Sequence, residues 1–290
     1  MSLIDPRTVL MLTGVMSGLM SLVMYVLKRN YPTSIKGLRE WSAALLLLFA
    51  GGLLVSGVNV LPDFLAISVS TFLLWTGLFL GYVGTQRFYG LVPRPGLWMV
   101  FIAGMQLVQI WFTVVEPSYP IRMMLTTMMT ASLTGVHARL VFKQGSLTFA
   151  RALAFGVLIA LAAIQLLRLL TAYQLTVNAS FLDTSAMQLM YITGFAFAIL
   201  LFAISMVLMA TERLHAEFAR LATHDSLTEA FTRRHMNEAC QQELERSRRH
   251  GHVMSFLIMD LDNFKAINDT HGHQVGDRVL VEFVTRIKAL

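Results

Sequence analysis

Seven long apolar stretches constrain the fold of this chain more than any other feature. They lie near residues 8–27, 41–61, 64–86, 97–116, 121–142, 151–173 and 186–210. A helix needs about 20 apolar residues to cross the roughly 30 Å hydrocarbon core of a bilayer. The chain is 56% hydrophobic and only 14% charged, whereas soluble domains carry about 25% charged residues. We therefore predict a mainly α protein with a polytopic seven-helix transmembrane bundle over residues 1–210, in contact with the lipid bilayer.

The fifth stretch is the weakest of the seven. Arg122, His137 and Arg139 leave it a clean apolar core of only about 15 residues, which is short for a span. The sequence alone leaves open whether this segment crosses the membrane fully.

Basic residues in the short loops predict the direction of the bundle. Three loops on one side hold nine of them: Lys28, Arg29, Lys36, Arg39, Arg87, Arg94, Arg139, Lys143 and Arg151. The other side holds only Arg7 and Arg122. Because basic loops stay in the cytoplasm, we expect a multi-pass protein of the bacterial inner (cytoplasmic) membrane, with its N-terminus outside and its C-terminus in the cytoplasm. The net charge of +6 then reflects topology, and no nucleic-acid partner is expected.

Polar side chains within the apolar stretches have two interpretations. Gln165 and Arg168 are three residues apart and share one helix face, and Gln106 and Gln109 repeat that spacing. These groups could line an intramembrane ligand pocket. Alternatively, Arg168 extends to the interface while the glutamines form hydrogen bonds between helices. The sequence does not identify a sensed ligand.

A helical stalk is predicted to follow the bundle over residues 211–224. Five residues recur at heptad spacing, four of them apolar, namely Val207, Thr211, Leu214, Phe218 and Leu221. This pattern favours a short parallel coiled coil in a homodimer, although a single amphipathic helix fits nearly as well.

The last segment, residues 225–290, combines a predicted strand with a dense set of polar residues. The strand covers residues 253–259 and ends at Asp260, followed closely by Asp262. Carboxylates and a backbone carbonyl are the hard oxygen ligands that Mg²⁺ prefers. Lys265 follows at a distance that suits a triphosphate. Asn268 and Asp277 have the donors and acceptors needed to bind a purine edge.

These residues resemble the first part of a GGDEF domain, the diguanylate cyclase module. HDSLTEAFTRRHM is similar to the opening motif D-x-L-T-x-L-x-N-R-R, with Thr232 at the asparagine position. DLDNFKAINDTHGHQVGD, from Asp260 to Asp277, is similar to D-x-D-x-F-K-x-x-N-D-x-x-G-H-x-x-G-D. The second motif is long and specific.

The resemblance implies a palm-like α/β fold of the nucleotidyl cyclase type and a dimer that converts two GTP into cyclic di-GMP and two pyrophosphates. Mg²⁺ or Mn²⁺ would be bound by the Asp260 side chain and the Leu261 carbonyl. The backbone at Asn263 and Phe264, together with Lys265, would bind phosphates. By the same resemblance, Asn268 and Asp277 would bind guanine.

The sequence contains no Gly-Gly pair followed by acidic residues, the motif that names the family. We therefore expect an incomplete GGDEF domain, no catalytic residue beyond the metal site, and no cyclase activity in this chain by itself. Two other functions stay open. One is a non-enzymatic seven-helix receptor with a vestigial GTP-binding tail, and the other is a transport or scaffold protein whose tail mediates dimerisation.

Overall fold

The structure is a computed structural model that describes residues 5–145, 148–172 and 186–289. Residue 173, the last of the sixth predicted stretch, and Leu290 lie outside this description. The helices are α1 (Pro6–Asn30), α2 (Leu38–Ser56), α3 (Ser70–Phe88), α4 (Gly96–Ile110), α5 (Tyr119–Phe142), α6 (Phe149–Ala172), α7 (Ala186–Thr223), α8 (Arg233–His250), α9 (Phe264–His271) and α10 (His273–Lys288). A π-helical segment, Phe64–Val69, precedes α3, and a second, Trp111–Val115, extends α4. The prediction of a mainly α protein is confirmed.

Six of the described helices are long and apolar enough to cross a membrane: α1, α2, α3 and α4 with their π-helical segments, α6 and α7. Helix α5 covers the fifth apolar stretch with 24 residues but is not among the six. Its two arginines and four threonines lower its mean hydropathy. The weak fifth stretch of the sequence is therefore also the exception in the structure.

The chain divides into two compact units, residues 1–214 and 215–290. In the first unit, the largest apolar core joins α1, α2, α5, α6 and α7 around the buried side chains of Met24, Trp41 and Met206. A polar contact crosses this core. Thr85 Oγ1 accepts from Trp41 Nε1 at 3.1 Å and lies 2.8 Å from Nε2 of the buried His137. His137 is therefore a contact within the helix bundle.

Helices α1 and α2 approach each other closely at a pair of glycines. A Cβ on Gly52 would lie 3.1 Å from the Gly14 Cα, and a Cβ on Gly14 would lie 3.4 Å from the Phe49 carbonyl oxygen. Small residues allow helix backbones to come into van der Waals contact, as is common between membrane helices. At this crossing α1 and α2 can therefore pack closely without large side chains between them.

The second unit contains α8, α9 and α10 but, among its described residues, no strand. Residues 252–261 have no regular secondary structure, so the strand predicted over 253–259 is not formed. The physical reason is that a strand needs a neighbour for its N–H and C=O groups. Val253 and Ile258 are 95% and 93% exposed. The α/β part of the predicted fold thus stays a prediction.

Candidate nucleotide site

The segment between α7 and α8 forms a loop that backbone hydrogen bonds close. The Asp225 amide donates to the Ala230 carbonyl at 2.7 Å, and the Thr232 amide donates to the Thr223 carbonyl at 2.8 Å. Thr232 also caps α8, because its Oγ1 accepts from the His235 amide at 3.4 Å. The opening motif thus forms the turn between two helices, and threonine replaces its asparagine without loss of the cap.

Asp225 organises the interior of this turn. Its Oδ1 accepts from the Thr228 amide and hydroxyl, both at 2.9 Å, and from the Leu227 amide at 3.1 Å. The hydrogen bond from the Thr228 backbone N–H, and after it the one from the Thr228 hydroxyl, stabilises the carboxylate. Together they hold the pKa of Asp225 below its ordinary value. Arg220 and Glu229 form an ion pair at the same loop. Asp225 therefore has a structural role in the turn.

The first turn of α9 presents free backbone donors. Asn263 precedes the helix in the left-handed conformation, with φ 56° and ψ 22°, and its side chain makes no capping hydrogen bond. The first N–H groups of a helix have no partner inside the helix and form a natural anion site. Lys265, exposed on this turn, adds a positive charge. The predicted phosphate-binding residues Asn263, Phe264 and Lys265 are thus contiguous at a helix start.

Helices α9 and α10 form a hairpin that brings Asn268 close to the start of α10. The Gly272 amide donates to the Asn268 carbonyl at 2.9 Å. Gly276 is buried, and a Cβ there would overlap Asn268 Oδ1 and lie 3.3 Å from Phe264 Cζ. Asp277 directly follows Gly276 in α10. The close approach of the Asn268 side chain to α10 depends on the missing side chain of Gly276.

Asp260 and Leu261 lie in the irregular segment before α9. Asp260 Oδ1 accepts from the Leu261 amide at 3.0 Å, which leaves Oδ2 available. The Leu261 carbonyl accepts no backbone hydrogen bond from the described residues. Within the described ranges, no three His, Cys, Asp or Glu side chains are grouped to hold a metal. The carboxylate and carbonyl fit Mg²⁺ or Mn²⁺ in donor type, with water and phosphate oxygens needed to complete the shell.

Sequence reasoning assigned no role to Gly276. A signal was available, because a glycine inside a helix costs about 0.5–1 kcal/mol relative to alanine. Its presence in the first turns of an otherwise regular amphipathic helix therefore indicated a close approach by another group. The group is the Asn268 side chain.

Comparison with known proteins bears on the family that the motifs resemble. Residues 222–290 match the family described as "Diguanylate cyclase, GGDEF domain". The chain is 38% identical over 68 residues to the probable diguanylate cyclase DgcC of Escherichia coli, covering 23% of this chain and 18% of that protein. It is 39% identical over 77 residues to the bifunctional diguanylate cyclase/cyclic di-GMP phosphodiesterase MucR of Pseudomonas aeruginosa, covering 27% and 11%. It is 43% identical over 67 residues to the response regulator PleD of Caulobacter vibrioides, covering 23% and 15%.

The chain thus spans less than a fifth of the length of each of these three relatives. No solved structure matches it significantly. The matched segment contains both motifs and every residue of the candidate nucleotide site. Residues 222–290 therefore carry a GGDEF diguanylate cyclase domain.

Proposed function

We propose that the protein is a membrane-anchored cyclic di-GMP signalling protein of the diguanylate cyclase class. In the proposed reaction two GTP-loaded domains meet in a homodimer. The 3′-hydroxyl of each GTP attacks the α-phosphate of the other, so that two phosphodiester bonds form and two pyrophosphates leave. The observation that carries the proposal is the match of residues 222–290 to the GGDEF domain, and the packing of the Asn268 side chain against Gly276 within that segment supports it.

Each site residue has a role that its chemistry supports. The Asn268 amide and the Asp277 carboxylate would pair with the donors and acceptors of guanine. The uncapped first turn of α9 and Lys265 would bind the phosphates. Asp260 and the Leu261 carbonyl would hold Mg²⁺ or Mn²⁺, which when bound offsets negative charge on the transferred phosphoryl group. This arrangement binds and orients GTP.

Membrane anchoring by seven helices is supported by how α5 is buried. Thr130, Thr134 and His137 of α5 are all buried inside the bundle, although α5 is not apolar enough to be recognised as a span by itself. Polar side chains inside membrane segments face the protein interior, where they find partners. We propose that α5 crosses the bilayer with the other six helices and that the C-terminus is cytoplasmic.

We also propose that residues 1–290 by themselves do not synthesise cyclic di-GMP. They contain no Gly-Gly-acid-acid sequence, and the apolar run 253–259 has no strand partner among the described residues. In the palm-like fold that the resemblance implies, this run would be a buried strand.

The first test is GTP binding by the purified chain in lipid nanodiscs. We expect saturable, Mg²⁺-dependent binding that ATP displaces poorly. Asn268→Ala and Asp277→Ala should each weaken it about tenfold to a hundredfold, because a hydrogen bond to a charged or buried partner is worth about 1–3 kcal/mol. Asn237→Ala, at an exposed position of α8, is the matched control and should leave binding unchanged.

The second test is direct detection of cyclic di-GMP after incubation with GTP and Mg²⁺. The proposal expects no product from residues 1–290 and product from a polypeptide in which the GGDEF domain is complete. Product from residues 1–290 would contradict the proposed inactivity. Binding that persists in both the Asn268→Ala and Asp277→Ala variants would show that the guanine assignment is wrong.

A further inference from the structure

A cavity of about 300 Å³ lies inside the first unit, at the end that carries the α2–α3 and α4–α5 connections. Side chains from all seven helices of this unit line it. Small-molecule sites in proteins measure roughly 300–1,000 Å³, so the cavity can hold a small ligand. In the proposed orientation of the bundle this end faces away from the cytoplasm, so a ligand would enter from the outer side of the membrane.

Two groups of opposite charge line the cavity without pairing with each other. Arg122, near the start of α5, is partly buried, and Asp63, directly before the first π-helical segment, is exposed. The two are near enough to interact electrostatically. No ion pair or side-chain hydrogen bond joins either charged group to a residue that the structure describes, and Asp63 does not cap the helical segment that follows it. A ligand that carries both charges can fill the space between such a pair.

A second arginine in the cavity wall, Arg168 of α6, is already engaged by the protein. Its Nε donates to Met123 Sδ at 3.2 Å, and its Nη2 donates to Gln188 Oε1 at 3.4 Å. Its Cζ lies 5.7 Å from the centre of the Tyr191 ring. These contacts hold Arg168 as part of the wall. Among the described lining residues, Asp63 and Arg122 are therefore the charged groups available to a ligand.

The rest of the lining is mainly apolar: Leu10, Leu48, Leu74, Ile192, Phe195 and Ile199. Two of the lining hydroxyls are used within their own helices. Thr13 donates to the Val9 carbonyl at 2.6 Å, and Thr126 donates to the Arg122 carbonyl at 2.9 Å. The charged pair thus suits the polar end of a ligand, whereas the remainder of the lining suits a hydrocarbon body.

The two glutamines of α4 differ in how their side chains are satisfied. Gln106 Nε2 donates to the Ser68 carbonyl at 2.9 Å, which is a hydrogen bond between helices. Gln109 lines the cavity and is 1% exposed, and its Oε1 has no hydrogen-bond partner among the described residues. An unsatisfied buried acceptor in a membrane segment is unfavourable. A donor in the cavity, from water or from the ammonium group of a ligand, can supply the missing partner.

We propose that this cavity binds a small zwitterion of the amino-acid class with an apolar side chain. Its carboxylate binds the Arg122 guanidinium through charge-assisted hydrogen bonds, and its ammonium group binds the Asp63 carboxylate. An α-amino acid joins its two charged groups through one carbon atom, so it can bridge opposite charges that are close but unpaired. The volume corresponds to about ten non-hydrogen atoms if each occupies roughly the 30 Å³ of a water molecule in the liquid, which is the size of leucine. This proposal does not depend on GTP binding or cyclase activity.

The test uses the 290-residue chain in phosphatidylcholine nanodiscs and radiolabelled leucine, with empty nanodiscs as the background. We expect saturable binding of one leucine per chain. Arg122→Gln should weaken it about tenfold to a hundredfold, the effect of losing a charge-assisted hydrogen bond, and Asp63→Asn should weaken it about tenfold, because water screens an exposed carboxylate. Two matched controls should bind leucine normally. They are Arg139→Gln, at the other end of α5, and Glu116→Gln, an exposed carboxylate of the α4–α5 connection outside the lining.

Two analogues of leucine test the two charges separately on the unaltered chain. Isocaproate is leucine without the ammonium group, and isoamylamine is leucine without the carboxylate. The proposal expects each to compete at least tenfold more weakly than leucine. Asp63→Asn should leave the inhibition constant of isocaproate unchanged, and Arg122→Gln should leave that of isoamylamine unchanged, because each variant removes the partner of a group that the analogue lacks.

Equal competition by leucine and either analogue, or binding equal to that of empty nanodiscs, would overturn the proposal. GTP binding measured on the same samples keeps this proposal separable from the proposed function.

Discussion

Gly276 shows how one absent side chain can determine a site. It is buried at the contact between α9 and α10, where the Asn268 carboxamide occupies the space that a Cβ would take. The candidate residues Asn268 and Asp277 could be chosen from the spacing of the motif. The contact of Asn268 with Gly276 could not be predicted, because a spacing does not say which helix faces meet.

Gly276→Ala should therefore impair the nucleotide site as strongly as Asn268→Ala does. The added methyl group overlaps Asn268 Oδ1 and has to displace it, and overpacking of this kind costs about 1–3 kcal/mol. The measurements are GTP affinity and hydrogen exchange over residues 264–288. Gly104→Ala is the control, because a Cβ at Gly104 meets nothing within 4 Å. Unchanged GTP affinity in Gly276→Ala would contradict this account of the glycine.

The turn at Asp225 should depend on pH in a direction that its hydrogen bonds fix. Because the pKa of Asp225 is lowered in the folded state, its contribution to stability is present above the pKa of the unfolded chain. The contribution is lost as the pH falls through the lower pKa of the folded state. Hydrogen exchange of peptides covering 222–232, corrected for intrinsic rates, should show loss of protection only at acidic pH. An Asp225→Asn variant that loses protection at the same pH would exclude Asp225 as the cause.

At the scale of elements, helices follow the apolar stretches within a few residues. The stretch 97–116 corresponds to Gly96–Val115 and the stretch 121–142 to Tyr119–Phe142. Hydropathy predicts such helices well because backbone N–H and C=O groups in an apolar setting have to form hydrogen bonds with each other, which a helix allows within one segment. The seventh helix continues to Thr223, beyond the apolar residues, where its heptad residue Phe218 is 57% exposed. Leu221 of the same seam is 48% exposed, whereas Val207 and Leu214 pack against the core of the first unit.

If α7 pairs with a second copy of itself, cysteines at the seam should crosslink. The chain has one cysteine, Cys240, so Cys240→Ser provides a cysteine-free background. Leu221→Cys, on the heptad seam, should then form an intermolecular disulfide under mild oxidation in membranes. Ala216→Cys lies on the opposite helix face and should not. Equal crosslinking of the two variants would indicate random collision and not a coiled coil.

At the scale of the whole molecule, the crossing number decides on which side of the membrane the GGDEF segment lies. With the proposed outside N-terminus, seven crossings would place residue 290 in the cytoplasm, whereas a non-spanning α5 would reverse every later segment. Green fluorescent protein fused after residue 145 or after residue 290 should therefore fluoresce. Alkaline phosphatase fused after residue 118 should be active. Phosphatase activity of a fusion after residue 145 would show that α5 does not cross.

Two larger features were beyond sequence reasoning for different reasons. The strand predicted over 253–259 depends on a neighbour that the pattern of a single run cannot supply, and the run is exposed. A cavity inside the first unit is lined by residues of several helices, among them Arg122 of α5 and Arg168 of α6. Sequence spacing linked Arg168 to Gln165 on its own helix, but only the packing of α5 against α6 brings Arg122 to the same cavity.

The two π-helical segments lie at helix ends, Phe64–Val69 at the start of α3 and Trp111–Val115 at the end of α4. Each wide turn takes up about one residue more than an α turn, and one residue corresponds to a rotation of roughly 100° about the helix axis. The chain therefore enters α3 and leaves α4 at a different angle about the helix axis from the one that a plain α turn would give. Deleting one residue from Phe64–Val69 would rotate the preceding connection, including Asp63, about the axis of α3.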